Sequence, residues 1–344
     1  MLYVAVALFV SAQVVLSQTV DPVPTMTLLM FGDVNLGRNL GQDLLKGKVD
    51  YPFKRMDSIL HRADAVFVNL ESPISDQNGE TESPKSNYVF CAPPIAASVL
   101  KEGGVTIAST ANNHAFDYSL QGLRETILYL EREGIQHIGT SEDSVGRVPS
   151  VVLMHHGIAI GFLAYTQFVN IAGPWQGRIA VFDSVQARRD IRQLKRTSDL
   201  VIVSFHGGKE YADGPDARTK RQLESLVRAG ADIVVGHHPH VPQGIEVFDG
   251  KLIFYSLGNF VFNQAAPWAK RSFAVELKVA KQDNVASLAT VRLIPFRVYK
   301  QPATDLPPSE VDSLVARLRK SSNVSIVTRG DSLFVSSLQS NHSQ

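Results

Sequence analysis

The sequence predicts an α/β layered domain, and three observations carry that prediction. Short apolar, β-rich runs alternate with amphipathic segments from residue 26 onward. Several of those segments carry helix start or stop residues at their ends. The length, 344 residues, suits one large domain or two small ones and is enough to bury a sizeable core without staples. Strand–helix alternation in a chain of this size argues for stacked layers around one core.

Taken in order, strands are expected at 27–31 (TLLMF), 65–68 (AVFV), 105–109 (VTIAS), 158–165 (IAIGFLAY), 200–205 (LVIVSF), 232–235 (DIVV) and 252–255 (LIFY). Between the third and fourth, Ser119 is placed to cap a helix. Leu120, Leu123, Ile127 and Leu130 share one face of it, and Gly134 stops it. A second helix is expected over about 184–197, and a third from Pro215 at its start to Gly230 just past its end. After about residue 270 come two strand-like runs, SFAVELKV and SLATVRLIPF, then a helix near 308–320 and a polar tail. No internal repeat interrupts this order, and no linker is long enough to separate a pair of domains.

Composition narrows the function. Hydrophobic residues make up 44% and charged residues 19%, with Gly at 24 positions and Pro at 17, which excludes collagen-like, low-complexity and wholly disordered chains. Lys and Arg number 34 against 33 Asp and Glu, and the net charge of +1 gives no support for a nucleic-acid partner. Cys91 is the only cysteine, so there is no intrachain disulfide and no thiolate metal cage. Any metal must be held by oxygen and nitrogen.

The N-terminus differs from the rest. Residues 2–16, LYVAVALFVSAQVVL, carry no charge, and the first charged residue is Asp21. Such a stretch falls short of the about 20 residues a membrane span needs. It suits the apolar region of a secretory signal cleaved near Ser17, although the usual basic n-region is missing. An uncleaved anchor and a buried strand are the alternatives. The expectation is an exported protein, secreted, periplasmic or at the cell envelope, with 1–17 as signal peptide or anchor.

The histidines gather. Five of ten sit in three places: His114, His206, and the cluster His237, His238 and His240. Each place follows an apolar run directly, where α/β folds put their ligand-binding loops. Two more such loops carry carboxylates, Gly32-Asp33-Val34-Asn35 and Asn69-Leu70-Glu71. Singly, each has an ordinary explanation. A Gly-Asp after a strand is usually a turn, an Asn-His pair can cap a helix, and His206 before two glycines can be an idle loop residue. Five in strand order point to a metal site with donors converging from several segments; imidazole with carboxylate suits Mn, Fe or Zn. His61, His137, His155, His156 and His342 are expected in surface or packing roles. Cys91 is expected to pack as a small hydrophobe, and Trp175 and Trp268 to cover core or line a cleft.

The segments LLMFGDVNLGR, FVNLESPIS, TANNHAFDYSLQGLRETILYLEREGIQHIGT, VIVSFHGGKEY and AGADIVVGHHPHVPQGIEVFDGKLIFYSLGNFVF resemble the ordered motif set of the CapA family. These are the poly-γ-glutamate capsule synthesis proteins, which resemble calcineurin-like metallophosphoesterases in fold. The likeness covers about 27–263, and implies a layered β-sandwich core flanked by helices over 26–264. Residues 265–344 would add strands, a helix and a polar tail packed on the same domain.

The superfamily pattern is D-x-H, G-D-x-x-D, G-N-H-D/E, a lone His, and G-H-x-H. Carried over, it implies Asp33, Glu71, Asn113, His206, His238 and His240 as ligands of one or two divalent ions, with Glu71 bridging in place of aspartate. Asn35 stands where the superfamily has histidine, Asp117 is off the superfamily's acidic position, and His237 is an extra. Bound ions would lower the pKa of water toward about 7 and make a nucleophile at neutral pH. His114, beside a ligand, would donate a proton or stabilise charge, and Arg38 would bind an anionic group. Lys85, Lys209 and Glu210 read equally well as cleft lining or solvated surface.

Three function classes stay open. One is a component of poly-γ-glutamate or capsule synthesis or export, working within an envelope synthesis complex. Another is a metal-dependent hydrolase or transferase acting on a phosphoester or a γ-glutamyl bond. The last is a non-catalytic protein that binds an anionic polymer.

Overall fold

The computed structural model describes residues 23–50, 52–144, 149–263 and 266–336. The expected signal or anchor at 1–17 and His342 lie outside the described residues.

The chain opens with β1 (Thr25–Val34). Met26, Leu28 and Met30 enter one core and Leu29 and Phe31 another, as expected of a strand buried on both faces. There follow α1 (Arg38–Leu45), α2 (Asp57–Leu60), β2 (Ala65–Leu70), the small hairpin of β3 (Glu82–Ser83) and β4 (Ser86–Phe90), and α3 (Ala96–Glu102). Next come β5 (Ile107–Ser109), α4 (Ser119–Arg132) and β6 (Gln136–Ile138). A second series holds β7 (Val151–His155), β8 (Ile158–Thr166), α5 (Ser184–Leu194), β9 (Leu200–His206), α6 (Ala217–Ala229) and β10 (Ile233–His237). It continues with β11 (Ile245–Phe248), β12 (Lys251–Phe254) and β13 (Asn259–Val261). The chain closes on β14 (Arg271–Gln282), β15 (Val285–Arg297), α7 (Pro308–Ser321), β16 (Ser325–Arg329) and β17 (Ser332–Ser336).

Two sheets form the sandwich. One runs β16-β17-β15-β14-β1-β2-β5-β6, with β13 beside the end of β1; the other runs β11-β12-β10-β9-β8-β7. In both, the central strands are parallel: β1 with β2 and β5, and β8 with β9 and β10. Their C-terminal ends therefore share an edge in each sheet. The inner faces meet through one core, where Phe67 of β2 stacks on Phe162 of β8 with centroids 6.2 Å apart. That core extends outward to Ile191 of α5 and Leu223 of α6. A second core lies under α1 to α3, built from Leu40, Leu44, Val99 and Leu100 against Leu29 and Phe31. The result is the layered α/β sandwich with flanking helices that the sequence predicts.

Several details differ from expectation. Ser119 is the first residue of α4 rather than its cap. Its φ is 58° because the chain turns sharply out of the preceding loop, and Tyr118 at the cap position makes no side-chain cap. Gly134, at φ 67°, stops the helix as expected. Asp183 caps α5, which ends at Leu194, three residues before the predicted end. Asp216 rather than Pro215 begins α6: its carboxylate accepts from the Thr219 amide at 2.8 Å. The polar tail contains a hairpin, β16–β17, whose Ile326, Leu333 and Val335 are buried.

The two sheets are tied at the strand starts by Asp199. Its Oδ2 accepts from the Ala159 amide at 2.8 Å and from Lys281 of β14 at 2.9 Å. Partial burial opposes ionisation, but the Ala159 amide and Lys281 outweigh it and hold the carboxyl below its usual value. A carboxyl lowered on folding contributes stability above its ordinary pKa, and that contribution is lost as pH falls through the lowered value. Asp199→Asn should therefore melt at a lower temperature than the parent at pH 7. The difference should shrink away as pH falls below about 4, which thermal melts across pH would read. A difference independent of pH would show that the carboxylate charge is not what ties the sheets.

Candidate metal centre

The site forms where the C-terminal ends of β1, β2, β5, β9 and β10 converge. Asp33 lies next to Asn69 of β2 on one side and Asn259 of β13 on the other. Gly32 before it has no room for a side chain: a Cβ would lie 1.7 Å from the Gly258 carbonyl oxygen. Gly236, before His237, is hemmed in the same way by the Tyr255 carbonyl at 2.0 Å. Both glycines let neighbouring backbone press against the strand ends that carry ligands. Beyond β10, His238 and His240 take φ of 95° and 61°, a left-handed conformation that is costly for a residue with a Cβ.

The loops bring the six predicted ligands together. Glu71, His206 and His238 form one group and Asp33, Glu71 and His240 another, with candidate ligand atoms in each group within 4.8 Å of one another. Asn113 joins the first, its Oδ1 standing 2.7 Å from His206 Nε2. Glu71 is common to both, its Oε1 lying 3.7 Å from His206 Nε2 and 3.8 Å from His240 Nε2. All six are buried.

The electrostatics suit a cation. Burial, and then the neighbouring Asp33 charge, push the Glu71 carboxyl well above the usual range. Burial also opposes ionisation of Asp33, but His237 and His240 outweigh it and hold that carboxyl well below. Burial lowers His206, and pushes His238 down to about 3, so both rings are neutral and able to ligate. His240 also suffers burial, yet Asp33 raises its pKa. Among the described residues, neither Glu71 oxygen has a hydrogen-bond partner, nor does His238 Nδ1. Buried carboxylate oxygens facing neutral imidazoles and a carboxamide oxygen fit a divalent ion.

Around this centre the other candidates sort themselves. His114 Nδ1 lies 2.8 Å from Asp117 Oδ2, and Asp117 also accepts from the Phe90 amide at 3.1 Å. Asp117, off the superfamily's acidic position, is thus the group that orients His114. The Phe90 ring stacks on His114 at 4.2 Å, and the Arg38 guanidinium sits 4.5 Å from the Phe90 ring centroid. Arg38 is further held by the Asn87 carbonyl and by Glu82 at 3.6 Å, so it borders the centre without touching its ligands. Asn35, in the superfamily's histidine position, turns its Oδ1 to the Gly37 amide at 2.9 Å and braces its own loop. His237, the extra histidine, is fully buried, with Nδ1 3.3 Å from Asp33 Oδ1. Lys85, Lys209 and Glu210 are exposed, and the Glu210 charge reaches Glu71 and His240.

The histidines expected elsewhere are elsewhere: His61 faces Asp57, His137 faces Glu131 and His155 faces Asp64. Cys91 is buried, its thiol pushed up to about 12 by that burial. Trp175 packs against a small cluster around Phe116, and Trp268 is exposed.

The shared carboxylate makes a sharp test. After loading with Mn2+ and dialysis, Glu71→Ala should lose nearly all bound metal, because it belongs to both groups. His240→Ala should lose only the ion of its own group. Metal analysis showing full content in both variants would remove these residues from any metal site.

The family model described as "Bacterial capsule synthesis protein PGA_cap" matches residues 27–264. The chain is 31% identical over 312 residues to the "Capsule biosynthesis protein CapA" of Bacillus anthracis, covering 86% of this chain and 74% of that one. It is 30% identical over 259 residues to the "PGA biosynthesis protein CapA" of Bacillus subtilis, covering 73% and 67%. Among solved structures, the calcineurin-like phosphoesterase YfkN from Bacillus subtilis superposes with a TM-score of 0.50 at 15% identity, over 87% of this chain and 98% of that chain. That likeness shows the fold, while the family match covers every candidate ligand from Asp33 to His240. The chain belongs to the bacterial capsule synthesis protein family PGA_cap, on the calcineurin-like phosphoesterase fold.

Proposed function

We propose that the protein acts in poly-γ-glutamate or capsule synthesis or export, and that it carries a metal-dependent hydrolytic site for an anionic polymer. The capsule role rests on the relatives named above and on a "Probable polyglutamine synthesis accessory protein" of Mycobacterium tuberculosis, 25% identical over 365 residues. The hydrolytic role rests on one observation: Glu71 is shared by two ligand groups beside a buried His114–Asp117 pair.

Asp33, Glu71 and His240 would hold one ion, and Glu71, Asn113, His206 and His238 a second. When bound, such ions supply Lewis acidity and a hydroxide nucleophile at neutral pH. The chain's own residues do the rest. Asp117 fixes the His114 ring through Nδ1, leaving Nε2 to hand a proton to the leaving group. In a γ-glutamyl amide, water adds to the carbonyl carbon, the C–N bond breaks, and the amine departs with that proton. Arg38, its guanidinium 4.5 Å from the Phe90 ring centroid, would pair with a substrate carboxylate or phosphate.

Purified protein loaded with Mn2+ should shorten poly-γ-glutamate and release free amino ends. His114→Ala should cut that rate by about 10²–10⁴-fold while keeping its metal. Turnover of simple phosphodiesters with none on the polymer would favour a phosphoesterase unrelated to capsule. Polymer binding without turnover of either substrate would make the site a non-catalytic one.

Export belongs to the same proposal, because residues 2–16 are uncharged and apolar and the polymer is an envelope product. The protein should be recovered outside the cytoplasm, beginning near residue 18 if the segment is cleaved. Protein with an intact Met1 in a cytosolic fraction would count decisively against export.

A further inference from the structure

Asn69 belongs to neither ligand group and yet stands between them. It is fully buried near the end of β2, two residues before Glu71. Its Nδ2 donates to Asp33 Oδ1 at 2.8 Å, and the same atom packs 3.2 Å from His206 Nδ1. Asp33 and His206 are members of different groups. The Asn69 Oδ1 in turn accepts from Asn112 Nδ2 at 3.4 Å. Asn112 also donates to the Leu70 carbonyl at 2.8 Å and accepts from the His114 amide at 3.1 Å. One carboxamide thus reaches the strand that carries Asp33, the strand that carries His206, and the loop that carries Asn113 and His114.

The effect on Asp33 is specific. With Oδ1 engaged by Asn69 and flanked by His237 at 3.3 Å, the carboxylate presents Oδ2 to His240, whose Nδ1 is 3.4 Å away. A carboxylate free to rotate would offer either oxygen and would lose that order on meeting an ion. Partners behind the ligands that fix orientation in this way are commonly worth about 10–100-fold in metal affinity. The motif NLE therefore carries two tasks, with Glu71 facing the ions and Asn69 facing the ligands.

We infer that Asn69 is a positioning residue of the metal centre: it fixes the Asp33 carboxylate, and the spacing of Asp33 from His206, in the arrangement that binds divalent ions. The inference rests on the metal reading given above.

The test is Mn2+ binding to metal-stripped protein, read by calorimetry without any substrate, together with the melting temperature of the same samples. Asn69→Leu, close in volume but unable to donate, should bind Mn2+ about 10–100-fold more weakly while its metal-free melting temperature stays within a few degrees of the parent. Asn69→Ser, which cannot overpack, should show the same loss and serves if the leucine variant fails to fold. A folded variant with Mn2+ affinity within about twofold of the parent overturns the inference, as does lost stability at parental affinity, which is what a purely structural role would give. Parental protein that binds no Mn2+, Fe2+ or Zn2+ would overturn the metal reading itself, a distinguishable failure.

Discussion

Two carboxylates, Asp33 and Glu71, are fully buried within a few ångströms of each other, and everything around them answers to that fact. Taking an ionised carboxylate out of water costs several kcal/mol, and two together repel. Among the described residues their ion-pair partners are all histidines, with no lysine or arginine near enough to neutralise them. Burial and then the Asp33 charge push the Glu71 carboxyl up, while His237 and His240 overcome burial and hold Asp33 down. A divalent cation held by these residues would relieve the conflict in a different way. The parallel strand ends, the two crowded glycines and the buried amides are the means by which the fold holds so unfavourable a pair in place.

Much of this was legible in the sequence, and the features that were not have physical reasons. Strands such as β8 and β9 read clearly because they are buried on both faces and so are almost wholly apolar. The β16–β17 hairpin did not, since its strands are five residues each and bury only alternate side chains. Ser119 misled because a good capping residue lies where the chain happens to need a left-handed turn. Apolar runs marked the loops that carry the candidate ligands, and the likeness to the CapA family singled out six residues within them. The contacts that His237 and Asp117 make were not legible. His237 meets Asp33 only because β10 and β1 lie in facing sheets, a relation no local pattern carries. Asp117 meets His114 across a tight loop, where spacing alone does not say which way either side chain turns.

The segment beyond the family match is structurally bound to the site despite lying outside it in sequence. Strand β14 pairs with β1 from Thr25 to Met30, immediately before Gly32 and Asp33. Lys281 at its far end reaches across to Asp199 and the Gly157 carbonyl in the other sheet. The strand that delivers Asp33 is therefore gripped on both edges, by β2 and β14, and the two sheets are clipped at the end away from the metal ligands.

The left-handed histidines of the H-P-H loop set folding against function. A glycine at either position would relax the backbone, whereas a valine or isoleucine would worsen the strain and also forfeit a ligand. Selection for a sturdier fold alone would thus replace His238 and His240 readily. A stabilised variant of this protein obtained by screening on melting temperature would be expected to accumulate changes in this loop first, and to lose two candidate metal ligands in doing so.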